Sequence, residues 1–380
     1  TYCAIPYIQG KYISRKYEDI IEEMSSNTLF VALKEVLSDL YNSISVAYSN
    51  NKQIDKAIEA SKLSIRSHKE FFSDNRVDSF LCNVYNNLAG YYIQNDDYQN
   101  AMMLLQECIE YYSKEDGYNT RDSYLSTLIN IIECLVQLGD SKQLDYSREL
   151  YECCIRYYFT NALTMTKIQR AKFDNVTPSL IHGYSRWAAL NKELTTFAYD
   201  TALLEKNITL KIDNLIGEHI STYTNNPHLL DLYNKYKEAI LSNRDEQVVL
   251  EEKMMYYMSK EEVKYESVLL NWQMVQDNLK NTDLAIEFVG YGRENSYYYA
   301  ALLLKKGWNI PKMIELCDMS ELKKILGDGS RLYKGNGTAY SCIWKKLEPY
   351  FKKGDNIYFA PHGLIHQLNI EVLCGADGKP

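Results

Sequence analysis

Tyr41, Ile44, Tyr48, Ile54, Ala57 and Ile65 recur as Tyr85, Leu88, Tyr92, Tyr98, Ala101 and Ile109, all six displaced by a constant 44 residues. A chain built on such a repeat stacks like units, each burying its apolar face against its neighbours. Tyr41, Ile44 and Tyr48 share one helical face, and Ala57, Ser61 and Ile65 follow at four-residue steps on the next helix. Each unit therefore reads as a helix pair, with polar turns SNNKQ and QNDD between the helices. The small residues Ser45, Ala89, Ala57 and Ala101 fall where two axes must approach closely. A weaker third unit follows in LINIIECLVQLGD and RELYECCI, where Ile131 sits 43 beyond Leu88 and Tyr151 sits 46 beyond Leu105. The spacing there has slipped in the turn.

An aromatic, then Leu-(Gly/Ala), then Tyr on the first helix, with Tyr and then Ala on the second, resembles the tetratricopeptide pattern. The likeness is closest in YNNLAGYYIQNDDYQNAMMLLQECI. A period near 44 instead of the standard 34 resembles the long-helix variants of that family. The resemblance implies an α-solenoid over residues 1–160 that takes a protein or peptide partner. Its tyrosines, and Cys108, Cys134, Cys153 and Cys154, read as packing residues. Adjacent Cys153 and Cys154 point about 100° apart on a helix and make no metal site. Residues 161–280 read as further helices and a long helical connector. Asn225-Asn226-Pro227 breaks the run, and the stretch from His228 reads as a long charged helix or a helical hairpin with a solvated face. Its apolar positions do not keep the strict heptads of a coiled coil.

A chain of 380 residues, 46% hydrophobic and 24% charged, has room for two or three domains with their own cores. Its formal charge of -8 disfavours a nucleic-acid or anionic-membrane surface, which needs contiguous Lys and Arg. Nine cysteines with no C-x-x-C pair read as reduced, packed thiols. Without a charged leader before an apolar core, or a window of about 18 apolar residues, a cytoplasmic protein is expected. The chain opens without Met and stops at Gly378-Lys379-Pro380 just after an apolar run, and so reads as a piece of something longer.

From Asp283 the pattern switches. LAIEFVGYG and SYYYAALLLKK flank a Gly-Arg-Glu-Asn turn and read as a hairpin. A strand over Met313 to Leu316, a Gly-rich stretch, an amphipathic helix over Ala339 to Phe351 and a strand over Asn356 to Ala360 follow, an alternation that points to an α/β sandwich. Trp272, Gln273, Val275, Gln276 and Leu279, then Ala285 to Phe288, Tyr298 to Leu302, Ile343, Trp344 and Leu347, and finally IYFAPHGLIHQLNIEVL, form an ordered series. That series resembles the opening part of a CHAT domain, the caspase-like cysteine-peptidase module often found behind tetratricopeptide arrays. The expected fold is therefore mostly α: a tetratricopeptide-type α-solenoid, then a partial α/β caspase-like (CHAT) domain over 281–380, truncated before its catalytic half. The resemblance implies a His that activates a Cys thiolate. It also implies that this dyad belongs downstream of Pro380, leaving no catalytic residue in this chain.

His362-Gly363, after the strand IYFA, imitates a strand-His-Gly arrangement and makes His362 the one catalytic candidate within the chain. A nucleophile at the end of a separate parallel strand requires a crossover of a dozen or more residues. Cys374 follows His362 by only twelve positions, with the apolar run LIHQLNIEVL between. His362 therefore reads as a turn residue. His362 and His366 at i, i+4 lack the Glu of H-E-x-x-H and a third ligand, so no metal is expected. His366 reads as bonding a backbone partner, and His68, His182, His219 and His228 form no ligand cluster. Gly327, Gly329, Gly335 and Gly337 imitate a phosphate loop but lack Gly-Lys-Ser/Thr opening a helix, with Lys334 on the wrong side. They read as a mobile connection, and no cofactor is expected. Two functions follow: the sensor and lead-in portion of a bacterial-type tetratricopeptide and CHAT cysteine protease, or a non-enzymatic adaptor capped by a degenerate C-terminal domain.

Overall fold

The computed structural model describes residues 34–72, 77–115, 117–118, 122–176, 180–206, 208–242, 244–293, 296–327, 333 and 337–373. The chain divides into two compact units, Thr1–Cys154 and Ile155–Pro380.

In the first unit the repeat appears as helix pairs: α1 (Lys34–Asn50) with α2 (Ile54–Phe72), α3 (Ser79–Gln94) with α4 (Tyr98–Tyr112), and α5 (Asp122–Leu138) with α6 (Gln143–Ala162). From α1 to α5 each helix packs on the next, and α3 packs on both α1 and α5, the neighbour-to-neighbour pattern of a solenoid. Ser45, Ala57, Ala89 and Ala101 are fully buried, as their small size implied. Ala57 sits among Ile44, Tyr48, Leu88 and Tyr91, and Ala101 among Leu105, Ile131 and Leu135.

All three turns close in the same way. Lys52, Asp96 and Gly139 hold the left-handed backbone at φ 59, 57 and 67°. The following amide of Gln53, Asp97 or Asp140 donates to Tyr48 O, Tyr92 O or Leu135 O, each at 2.9 Å. This is the Schellman closure of a helix C-terminus. Its spacing, 44 and then 43 residues, is that of the core positions. The third unit has thus lost one residue before its turn. The larger offset at Tyr151 comes after it, because α6 begins only at Gln143 whereas α4 begins directly after Asp97.

The second unit opens with α7 (Lys167–Val176), α8 (Leu180–Leu190), α9 (Thr195–Glu205) and α10 (Ile208–Glu218), which ends in a π-helical turn over His219–Tyr223. Asn226 Oδ1 then accepts from the amides of His228 and Leu229, with Pro227 at the first helical position. The charged stretch proves to be a helical hairpin, α11 (Pro227–Ser242) and α12 (Arg244–Met258), followed by a short α13 (Trp272–Asn278).

Strands β1 (Asp283–Arg293), β2 (Ser296–Leu304), β3 (Lys312–Asp318) and β4 (Asn356–Ala360) form a mixed sheet in the order β3-β2-β1-β4. The expected hairpin is β1 with β2, β3 adds antiparallel to β2, and β4 runs parallel to β1. Two helices lie between β3 and β4: α14 (Met319–Gly327) and α15 (Thr338–Ile343). Helix α14 carries its own start signal, since Asp318 Oδ1 accepts from the amides of Ser320 and Glu321, with Glu three positions beyond the cap. Helix α15 is shorter than the expected Ala339 to Phe351. The amides of Trp344 and Lys345 both turn back to Tyr340 O, and Pro349 lacks the N–H needed to resume the ladder.

Both sheet faces are covered. Leu284, Ile286, Phe288, Tyr299, Ala301 and Leu303 share a core with Leu322, Ile325, Cys342 and Ile343. The alternate residues Ala285, Val289, Tyr291, Ala300, Leu302 and Leu304 are buried as well, on strands against which α8 and α9 pack. The change of local pattern at Asp283 is therefore not a change of packing. Thr195 Oγ1 donates to Pro311 O at 2.8 Å, and Gln276 Nε2 donates to Lys305 O and Trp308 O.

Candidate functional site

Two regions bring chemistry together, one in each unit. In the array, Asn42, Asn86 and Asn130 recur at 44-residue steps on the first helices of the three units. Asn87 Nδ2 donates to Asn42 Oδ1 at 3.1 Å, Asn86 Nδ2 to Thr127 Oγ1 at 2.8 Å and Asn130 Nδ2 to Asn86 O at 3.4 Å. This amide ladder ties successive first helices. Its signal in the sequence is the same spacing as the apolar repeat, carried by polar positions. Lysines of α2 lie over tyrosine rings: Lys56 over Tyr48, Lys62 over Tyr92 and Lys69 over Tyr85, at 5.4 to 5.9 Å. Tyr48 and Tyr85 are buried, and Tyr92 is half-buried with its ring packed against the core of the first two units.

In the second unit the chemistry gathers at the carboxyl end of the parallel pair β1 and β4, the end at which open α/β sheets place ligands. Lys206, directly after α9, brings its ammonium to Glu287 Oε2 (2.6 Å), Phe288 O (2.9 Å) and Ala360 O (2.8 Å). All three donors of the ammonium are thereby used. Burial pushes the lysine pKa down and that of Glu287 up, while their mutual attraction opposes both shifts. Nothing in the sequence marked Lys206. Its partners stand 81 to 154 positions away, beyond any local period.

His362 lies two residues past β4, half-buried and in extended conformation, with Nε2 3.2 Å from Tyr297 Oη. Gly363 turns the chain at φ +53°, and a Cβ there would sit 2.9 Å from Tyr299 Oη. That hydroxyl accepts from Leu364 N at 3.1 Å. The local requirement for glycine thus comes from both sterics and conformation.

The extended backbone of His362 separates it from exposed His366, so the two do not form the i, i+4 pair of a helix. Among the described residues no group of three His, Cys, Asp or Glu side chains could hold a metal. His68 pairs with Asp78 at 2.9 Å and stacks on Phe80, His219 pairs with Glu261 at 3.0 Å, and His228 stands against Tyr257. The His182 side chain, Cys374, Gly329, Lys334 and Gly335 lie outside the described residues, whereas Gly327 ends α14 and Gly337 precedes α15. The described cysteines, Cys108, Cys134, Cys153 and Cys154 among them, are all buried. Burial pushes the Cys134 thiol up to about 12, and the thiols of Cys108 and Cys342 are raised first by hydrogen bonds with Cys82 and Cys317 and then by burial. Protonated, enclosed thiols are poor nucleophiles.

Residues 83–115, most of the second helix pair, match the tetratricopeptide repeat family. No curated protein matches the chain. Fold and match together define a tetratricopeptide-like helical solenoid, a class built to bind other proteins, followed by a small mixed sheet. No helix among the described residues is long and apolar enough to cross a membrane.

Proposed function

We propose that the helical repeats over residues 1–160 hold a protein or peptide partner that controls a caspase-like cysteine protease. On this reading residues 161–280 connect the array to the lead-in half of a CHAT-type domain over 281–380, in a cytoplasmic, bacterial-type protein. Its His and Cys lie downstream of Pro380, its target is a specific protein, and it uses no metal or cofactor. The partner reading rests on the helix pairs themselves, one of which matches the repeat family.

The observation that carries the protease reading is β4. It runs parallel to β1 in a sheet with helices on both faces, yet its own outer edge has no strand partner among the described residues. Tyr358 on β4 is 57% exposed, although parallel strands are ordinarily covered on both faces. A further parallel strand would pair that edge, the crossover leading to it would cover the exposed face of β4, and its carboxyl end would lie beside the Lys206 and His362 region.

The test is an activity probe on the protein expressed from its native reading frame carried past Pro380. A peptidyl acyloxymethyl ketone is expected to alkylate one cysteine beyond Pro380, and labelling should persist in His362→Ala. A reading frame without such a cysteine, or labelling abolished by His362→Ala, would overturn this placement of the dyad. The burial of every described thiol favours a second reading in that event, an adaptor whose sheet serves as a structural cap.

A further inference from the structure

Between α4 and α6, the second helices of two successive units, lies a half-open cleft of about 420 Å³. Ligand sites fall in the range of roughly 300–1,000 Å³. Ile109 and Ser113 line it from the end of α4, Tyr118 and Tyr124 from the start of the third unit, and Lys142, Asp145, Tyr146 and Glu149 from the start of α6.

Its chemistry is that of a cation site. Tyr118 and Tyr124 stand edge to face with centroids 4.8 Å apart, and Tyr112 backs Tyr124 at 5.4 Å, so the Tyr124 ring is held from two sides. The Tyr124 hydroxyl donates to Glu149 Oε1. Burial and the Glu149 charge raise the pKa values of both Tyr124 and Tyr146, so the two phenols stay neutral. Asp145, four residues before Glu149, shares its face of α6. Tyrosine faces carry negative potential and favour a cation, and Ile109 supplies an apolar wall for an aliphatic stem. Among the described residues the lining sets two carboxylates against one cation, Lys142, which is exposed.

We propose that this cleft receives a lysine side chain of the partner protein, an inference that rests on the array being a partner platform. Lysine suits the site better than arginine. A guanidinium prefers a carboxylate with both oxygens open to its fork, and the Tyr124 hydroxyl already occupies one oxygen of Glu149. The formal charge of -8 on the chain adds long-range attraction for a basic partner.

The tripeptide acetyl-Gly-Lys-Gly-amide, titrated against the 380-residue chain by ligand-detected NMR, is expected to bind in the millimolar range, and the norleucine counterpart about tenfold more weakly. Glu149→Gln and Asp145→Asn should each weaken the lysine peptide about fivefold. Lys142→Ala should tighten it, and Asp231→Asn, at an exposed position of α11, should leave it unchanged. Should Glu149→Gln fail to fold, as judged by its melting curve, exposed Asp145 carries the test. Equal binding of the norleucine or arginine peptide, or no loss in folded Asp145→Asn, would overturn the proposal. Selection of longer peptides on the immobilised chain separates this failure from that of the wider reading. Peptides retained regardless of Glu149 leave the platform standing and remove the lysine cleft. No retained peptide, with the tripeptide still bound, would overturn both the platform and a partner protein as the source of the lysine.

Discussion

Ala101 has no exposed surface, and its methyl group is all that the contact with Leu105, Ile131 and Leu135 admits. Ala101→Leu adds three carbons to a closed interface and is expected to cost about 1–3 kcal/mol, read as a lower urea midpoint at unchanged slope. An unchanged midpoint would mean that the helices part without penalty. This position was legible from spacing alone, because a small residue recurring every 44 positions signals close approach. Asp200 was not legible. It accepts the Trp272 amide at 2.6 Å, and burial pushes its carboxyl from the ordinary 3.8 up to about 7, although that hydrogen bond pulls it the other way. A carboxyl raised on folding lends relative stability that is complete below its unfolded value and is lost as pH rises through the folded one. Ionised Asp200 therefore costs the fold at pH 8. Asp200→Asn keeps an oxygen acceptor and no charge, so relative to the parent it should gain stability between pH 4 and 8, on the order of 2–4 kcal/mol. Urea midpoints of both proteins across that range check the sign. A difference that does not vary with pH would rule out the burial account.

At the scale of elements, helices and turns of the array were readable because each depends on residues within one or two turns of the chain. The Schellman closures at Lys52, Asp96 and Gly139 show the repeat reaching even into backbone conformation, where lysine and aspartate accept a left-handed φ that glycine adopts at no cost. Strands were readable for the same local reason, with β4 matching its expected bounds from Asn356 to Ala360. Strand neighbours were not, since pairing is a property of distant segments. Strand β1 has partners on both sides and is buried along nearly its whole length, whereas β4 is half-covered and paired on one edge. Amides in Leu284–Val289 should accordingly be the slowest in the sheet to exchange with deuterium, and those of β4 clearly faster. Mass-spectrometric exchange over hours tests this order. Faster exchange in β1 than in β4 would contradict the arrangement.

For the molecule, the lesson lies in what covers the sheet. A boundary drawn at 280/281 follows the change of periodicity, yet α8 and α9 pack on β1, and Lys206 bridges β1 and β4 from beyond α9. A fragment of residues 281–380 exposes the face carrying Glu287, Val289 and Leu302. It is expected to give an undispersed NMR spectrum and bind a hydrophobic dye, while the full chain does neither. A folded, dispersed fragment would show that the sheet needs none of those helices. The sequence alone determined the helix pairs, their turns, the hairpin and the strand that follows, because periodicity and turn chemistry act over a few residues. Only the tertiary structure decided that helices before Asp283 cover the sheet, that a lysine lies between its parallel strands and that three tyrosines and two carboxylates meet in one cleft. Those neighbours lie up to 154 positions apart, and burial and charge pairing between them leave no periodic trace along the chain.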